Sequence, residues 1–282
     1  MKVGLVLALA ILLSVGCQST AWELSTSLDK GVAGYEGEVT PFTIPYRLRY
    51  EASPEVTQTI AVTITNLDGT TNRISMLVRV KISAIGEQRL WEYIFDEVAA
   101  DGQKWRSSTV PLMTARGLSS SMGPLKDIDL AFPAFQQQGA EIPDQNSDMY
   151  QNIVAALRDS SVKLPKDPVG MNDEIGSGDE MIEQILASFK PPLSTQEHIR
   201  RNTLSARIVG ETYDNAVHCL VVVLAGGFEI EGPKGSLTLG WRGHWLLDSQ
   251  TGLTRRMAVA VDLTLSSGEI KRAVVFSTVQ SR

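Results

Sequence analysis

Met257, Val259, Val261, Leu263 and Leu265 alternate with Ala258, Ala260, Asp262 and Thr264, and this period-two run constrains the chain more than any other feature. Successive strand residues point to opposite faces, so such a run has one face on a core and one nearer water. The pattern recurs. Ile60, Val62 and Ile64 alternate with threonine and alanine, and Met76, Val78, Val80 and Ile82 alternate with Ser75, Arg79, Lys81 and Ser83. Tyr46, Leu48 and Tyr50 are separated by Arg47 and Arg49, and the runs 90–98 and 105–113 continue the series. Toward the C-terminus the runs 204–212, 216–230, 236–247, 254–265 and 270–279 read as five more strands. Between them stand Asp214-Asn215, Gly232-Pro233-Lys234-Gly235, Thr251-Gly252 and Ser267-Gly268, all with turn chemistry. Asp68-Gly69 and Asp101-Gly102 serve the first half in the same way. Half-solvated alternation with short turns marks an antiparallel sheet. The spacing of Gly69, Arg73, Ile74, Met76, Val78 and Val80 recurs in Gly252, Arg256, Met257, Val259, Val261 and Leu263, a faint internal echo.

Residues 117–200 differ. Tyr150, Ile153, Val154 and Leu157 fall at helical spacing, as do Met181, Ile182, Ile185, Leu186 and Phe189. Ser177 with Glu180, and Ser194 with Glu197, fit capping boxes, and Pro191-Pro192 stops the first of these helices. The expected architecture is α+β and mainly antiparallel β: a strongly curved, half-barrel-like sheet of about ten strands, with two or three helices from a central insertion at about 145–201 lying on its concave side. The 282 residues then divide into a signal peptide (1–16), an acylated cysteine with a flexible tether (17–40) and a single β-rich domain (41–282).

The N-terminus carries an address. Met1-Lys2 precedes an apolar run, Val3 to Leu13, too short to span a bilayer as a helix but fitting a secretory signal. Leu13-Ser14-Val15-Gly16-Cys17 resembles the lipobox of bacterial lipoproteins, with Ser14 where those most often carry leucine. The resemblance implies acylation of Cys17, cleavage before it and a membrane anchor. Two or three acyl chains, at about 0.8 kcal/mol per buried methylene, need no help from an amphipathic helix. Gln18 rather than aspartate after Cys17 resembles lipoproteins forwarded to the outer membrane, so the expected location is the cell envelope, lipid-anchored and facing the periplasm.

Composition excludes several functions. Twenty-six basic against 32 acidic residues leave no nucleic-acid footprint, and two cysteines cannot staple a disulfide scaffold. The histidines His198, His218 and His244 fall at no metal-ligand spacing. His198 reads as a solvated residue in the first turn of a short helix. His218 and Cys219 are strand neighbours on opposite faces, which makes Cys219 a buried small hydrophobe. Asp173, Glu174, Asp179, Glu180 and Glu183 lack an EF-hand pattern and suit a helix start. Neither a Gly-x-Ser-x-Gly elbow nor a Walker loop occurs, so no enzyme activity, metal or cofactor is expected.

Gly240-Trp241-Arg242-Gly243-His244-Trp245 is the most unusual stretch. Trp241 and Trp245 share a strand face, and Gly243 between them leaves a gap that a flat ring or an acyl chain fills. These three are the candidate ligand-binding residues, with Arg242 and His244 on the opposite, wetter face; the plainer alternative packs the tryptophans against the helices. Leu164-Pro165-Lys166-Asp167-Pro168-Val169 running into Asp173, with Gly243 to Asp248 and Thr251-Gly252-Leu253, resembles an uncharacterised family of bacterial secreted proteins and lipoproteins, mainly over 164–280. Asn172-Asp173-Glu174-Ile175 lacks the glycine and tryptophan of that family's Gly-Asp-x-Trp-like motif. The order of elements is also similar to the half-barrel lipid-binding lipoproteins and periplasmic lipoprotein carriers, which implies shelter of a lipid or other apolar ligand between sheet and helices. The alternative is a non-catalytic structural or interaction module that meets another envelope protein, and a hydrolase is more distant.

Overall fold

The computed structural model describes residues 37–65, 70–100, 102–139, 142–159, 163–175, 198–232, 235–265 and 270–279. The strands are β1 (Ser53–Thr65), β2 (Thr71–Ile85), β3 (Gln88–Ala100), β4 (Gln103–Arg106), β5 (Met113–Ser120), β6 (Lys126–Ala131), β7 (His198–Asn202), β8 (Ser205–Asp214), β9 (Val217–Gly232), β10 (Gly235–Asp248), β11 (Thr254–Leu265) and β12 (Ile270–Val279). They form one twelve-stranded sheet in the order β6-β5-β3-β2-β1-β12-β11-β10-β9-β7, with β4 also on β3 and β8 also on β9. Every pairing is antiparallel. The first and last strands meet at the centre, where Gln58 faces Val279 and Thr65 faces Arg272. The echo's residues from Arg73 and from Arg256 onward fall on β2 and β11, the two strands that flank that central pair. The ladder does not close into a barrel, because β6 and β7 end it on opposite sides.

Alternation produces the core as expected. Ile74, Met76, Val78, Val80 and Ile82 of β2, Trp91, Tyr93 and Phe95 of β3, and Leu239, Trp241, Trp245 and Leu247 of β10 are buried in one cluster. The opposite face of β9 and β10 holds a small second cluster of Cys219, Val221 and Leu246. The β8–β9 hairpin closes through Asn215 and Ala216, at φ 50° and 65°. Two consecutive left-handed residues match the right-handed twist of the strands they join.

The expected α+β architecture does not hold: the described chain is nearly all antiparallel β, with twelve strands rather than about ten. Its helices are α1 (Pro133–Gln137), only five residues, and α2 (Asp148–Asp159). In α2 the predicted Tyr150, Ile153 and Leu157 are buried, and the Tyr150 hydroxyl accepts the Leu130 N–H of β6 at 3.1 Å. The helix expected over Met181–Phe189 lies outside the described residues. His198, placed by the capping box in a helix, instead begins β7. There the long β9 supplies an open edge, with His198 facing Glu231 and Ile199 facing Ile230, and Arg200 lies 3.9 Å from Glu229 and 3.8 Å from Glu231. A ladder with opposite charges across it outweighs a local capping signal.

Two extended segments, not helices, cross the core face. The first starts at Val39, which packs on the outer cluster, rounds β8 where Thr40 bridges Glu211, and ends where the Tyr50 N–H donates to Ser121 beyond β5. The second runs back from Leu164, whose N–H donates to Met122, to Glu174, which bridges Arg207 of β8. Midway, Tyr46 pairs with Val169. Phe42, Leu48, Tyr50, Leu164, Val169 and Ile175 bury their side chains in the main cluster, with Leu48 at 0% exposure.

Candidate functional site

At one rim of the sheet lies a cavity of about 540 Å3. Its walls are the start of β1 (Ser53, Pro54, Val56), the β8–β9 turn (Tyr213, Ala216, Val217, His218), the β10–β11 turn (Asp248, Gln250, Thr251, Leu253) and Arg255. Hairpin geometry explains the convergence: β9, β10 and β11 are neighbours, and the turns at this end carry side chains that no strand above can cover.

His218 is the hub of the polar wall. Its Nδ1 lies 2.8 Å from Ser249 Oγ and its Nε2 3.3 Å from Glu211 Oε2. The same Glu211 oxygen accepts the Tyr46 hydroxyl at 2.8 Å. A carboxylate on Nε2 favours the tautomer protonated there and leaves Nδ1 to accept the serine proton. Tyr46 and Tyr213 flank the imidazole, at ring-centroid distances of 5.4 and 5.2 Å. Burial, then the Glu211 contact, pushes the Tyr46 phenol up to about 12, so it remains a donor.

Serine, histidine and glutamate in a row resemble a general-base relay, but acyl transfer also needs free donors for the oxyanion. The turn that carries Ser249 has none on its backbone. The N–H of Ser249 donates to His218 O at 3.1 Å, those of Gln250 and Thr251 to Asp248 Oδ1 at 2.8 and 3.1 Å, and that of Gly252 to Asp248 O at 2.9 Å. The N–H of Leu253 donates to Thr251 Oγ1 at 3.4 Å. The network ties the first strap to β8, β9 and the β10–β11 turn.

Trp241, Gly243 and Trp245 do not line this cavity. Both tryptophans are 8% exposed, and Trp241 stacks on Phe228 at 5.4 Å with 22° between the rings. The Trp245 Nε1 is buried without a hydrogen-bond partner. Gly243 allows close backbone approach, since a Cβ there would lie 2.2 Å from Ala258 O. Of the residues on the opposite face, Arg242 pairs with Asp262 at 2.9 Å, while His244 is 4% exposed. Cys17 lies outside the described residues, as do Asp179, Glu180 and Glu183. Asp173 accepts the Gly170 N–H at 2.7 Å, and Glu174 pairs with Arg207 at 2.9 Å. Cys219 is fully buried, and desolvation raises its thiol pKa to about 12. Among the described residues no three His, Cys, Asp or Glu side chains converge on a metal position.

Sequence reasoning missed Glu211, Ser249 and Arg255. The first two lie far from their partners along the chain and show no local motif. Arg255 did leave a signal, because it stands in phase with Met257 and Val259 on the apolar face of β11.

No protein-family profile and no curated protein matches the chain. Among solved structures it is similar to a DUF1329 family protein from Desulfovibrio piger ATCC 29098, at 12% identity over 91% of this chain and 89% of that one, with a TM-score of 0.24.

Proposed function

We propose that this chain is a cell-envelope lipoprotein, acylated at Cys17, held at the outer membrane on the periplasmic side, whose β body is a non-catalytic binding module for a small, partly apolar ligand. The rim cavity carries the reading. Its volume of about 540 Å3 falls in the range of small-molecule sites, and apolar Pro54, Val56, Val217 and Leu253 share its wall with His218, Asp248 and Arg255. Trp241 and Trp245 are buried in the main apolar cluster and stand outside the cavity lining, so the reading takes the rim rather than the middle of the sheet as the ligand's position. The anchor reading rests on Leu13 to Cys17 and the apolar run before it.

Native mass spectrometry of the detergent-extracted full chain tests the binding role. A co-purified small molecule beyond the N-terminal modification is the expected result, and its consistent absence, together with failure of added amphiphiles to bind, ends the reading. For the anchor, Cys17→Ser leaves the membrane fraction; a variant that stays there contradicts acylation.

A further inference from the structure

Arg255 enters the rim cavity from the core-facing side of β11, and its surroundings leave its Nε–H without an acceptor. Its side chain is 11% exposed, and its Nε is sealed from solvent with no hydrogen-bond partner. A guanidinium carries five donors in a fixed fork. Among the described residues Arg255 makes one ion pair, to Asp214 at a long 4.0 Å, and that carboxylate is held more closely by Arg256 at 3.0 Å. Asp248, the carboxylate in the cavity wall, turns Oδ1 to the N–H groups of Gln250 and Thr251. A largely buried guanidinium whose one ion pair is long is unfavourable unless something at the cavity side completes its shell. The cavity beside it is large enough for a small organic molecule, and Pro54, Val56, Val217 and Leu253 offer that molecule an apolar wall.

We infer that Arg255 anchors an oxyanion site: the rim cavity takes a small amphipathic carboxylate or phosphate monoester, its head on the Arg255 fork and its apolar body on Pro54, Val56, Val217 and Leu253. Planar bidentate recognition of either head group is what a guanidinium does best. This rests on the rim-cavity reading given above and adds the charge of the ligand to it.

Calorimetric titration of the acylated full chain in lipid nanodiscs with 4-phenylbutyrate, phenyl phosphate and 4-phenylbutan-1-ol tests it. The anions bind at least about tenfold more tightly than the alcohol, the margin of a charge-assisted hydrogen bond, and the stronger anion identifies the head group. Arg255→Gln removes the preference, Arg255→Lys retains part of it, and Arg242→Gln, on the other face beside Asp262, leaves it whole. If Arg255→Gln does not fold, loss of at least part of the preference in Arg255→Lys decides. Equal binding of alcohol and anions, or a preference that survives at Arg255→Gln, overturns the oxyanion site while the cavity reading stands. Binding of none of the three probes removes both.

Discussion

Tyr46 and Val169 exchange both backbone hydrogen bonds, the Tyr46 N–H to the Val169 carbonyl at 2.9 Å and the Val169 N–H to the Tyr46 carbonyl at 2.8 Å. The pair joins two segments far apart in the chain at the middle of their path over the core. With it, the straps become a third element of packing rather than loops that happen to lie over a sheet. Leu48 and Leu164, on either strap, are 0% and 2% exposed, as deeply placed as any strand residue. Leu48→Ala and Leu164→Ala therefore each cost about 2–5 kcal/mol, the range for a fully buried leucine. Ile44→Ala on the same strap, where the side chain is 76% exposed, stays within about 0.5 kcal/mol. Urea unfolding with an unchanged m-value measures all three. Straps that merely drape over a finished core would give leucine losses no larger than that of Ile44.

The glycines of β9 and β10 separate close backbone approach from simple tolerance. A Cβ at Gly243 would meet Ala258 O at 2.2 Å and Val259 Cα at 2.7 Å, whereas one at Gly240, on the same strand, meets nothing within 4 Å. Gly243→Ala forces β10 and β11 apart and costs about 1–3 kcal/mol, the usual range for overpacking. Gly240→Ala leaves stability unchanged or raises it by about 0.4–1 kcal/mol through the unfolded chain. Equal effects at the two sites in thermal or urea unfolding would contradict the close approach of Gly243 to Ala258.

Strands whose buried faces are large and apolar were legible, and those built from small residues were not. Met257, Val259 and Val261 announce β11, and Asn215 announces the turn into β9. In β5 the inward residues are Met113, Ala115, Gly117 and Ser119, a face with little apolar signal. It is buried because Leu125 lies over it, close enough that a Cβ at Gly117 would be 3.0 Å from the Leu125 side chain. Local signals also misled where long-range pairing competed: the Ser194–Glu197 capping box pointed to a helix at His198, but the open edge of β9 took that segment as a strand. The rim site was hidden for the same reason. Tyr46 reaches Glu211 and His218 reaches Ser249 only after the sheet and the straps have formed, and no spacing along the chain encodes that meeting.

The Tyr46 hydroxyl reports on that meeting by its titration. Its folded pKa of about 12 lies above the usual 10, chiefly through burial and next through the Glu211 carboxylate that accepts its proton. Below pH 10 both folded and unfolded chains hold the proton, and the contribution is fully present. As pH rises from 10 toward 12 the unfolded chain releases it first, so stability falls with pH across that window. Tyr46→Phe removes a part-buried, solvent-screened hydrogen bond to a charged acceptor and costs about 0.5–1.5 kcal/mol at neutral pH. Denaturant midpoints of the two proteins converge between pH 10 and 12; a constant gap across that window would mean that the hydroxyl is not held against Glu211.

Cys219 gives a chemical reading of both the core and the anchor. It is fully exclosed from solvent beside Val221 and Leu246, and desolvation, then the charges of Asp248 and Asp214, pushes its thiol up to about 12. At pH 8 about one molecule in ten thousand would carry the thiolate, the only nucleophilic form, and the reagent would still have to enter the cluster. The folded protein is therefore inert to a thiol-specific disulfide reagent over the time that guanidinium-unfolded protein takes to react fully. The chain has two cysteines, so the unfolded count distinguishes the fate of the other. If Cys17 carries a thioether to diacylglycerol, membrane-extracted protein yields one reactive thiol, and protein made without its acylation machinery and retaining residues 1–16 yields two. One thiol in both preparations would mean that Cys17 is lost or blocked by some other route, and two in both would end the acylation proposal. A fast-reacting thiol in the folded, extracted protein would place Cys219 outside the packed layer between β8, β9 and β10.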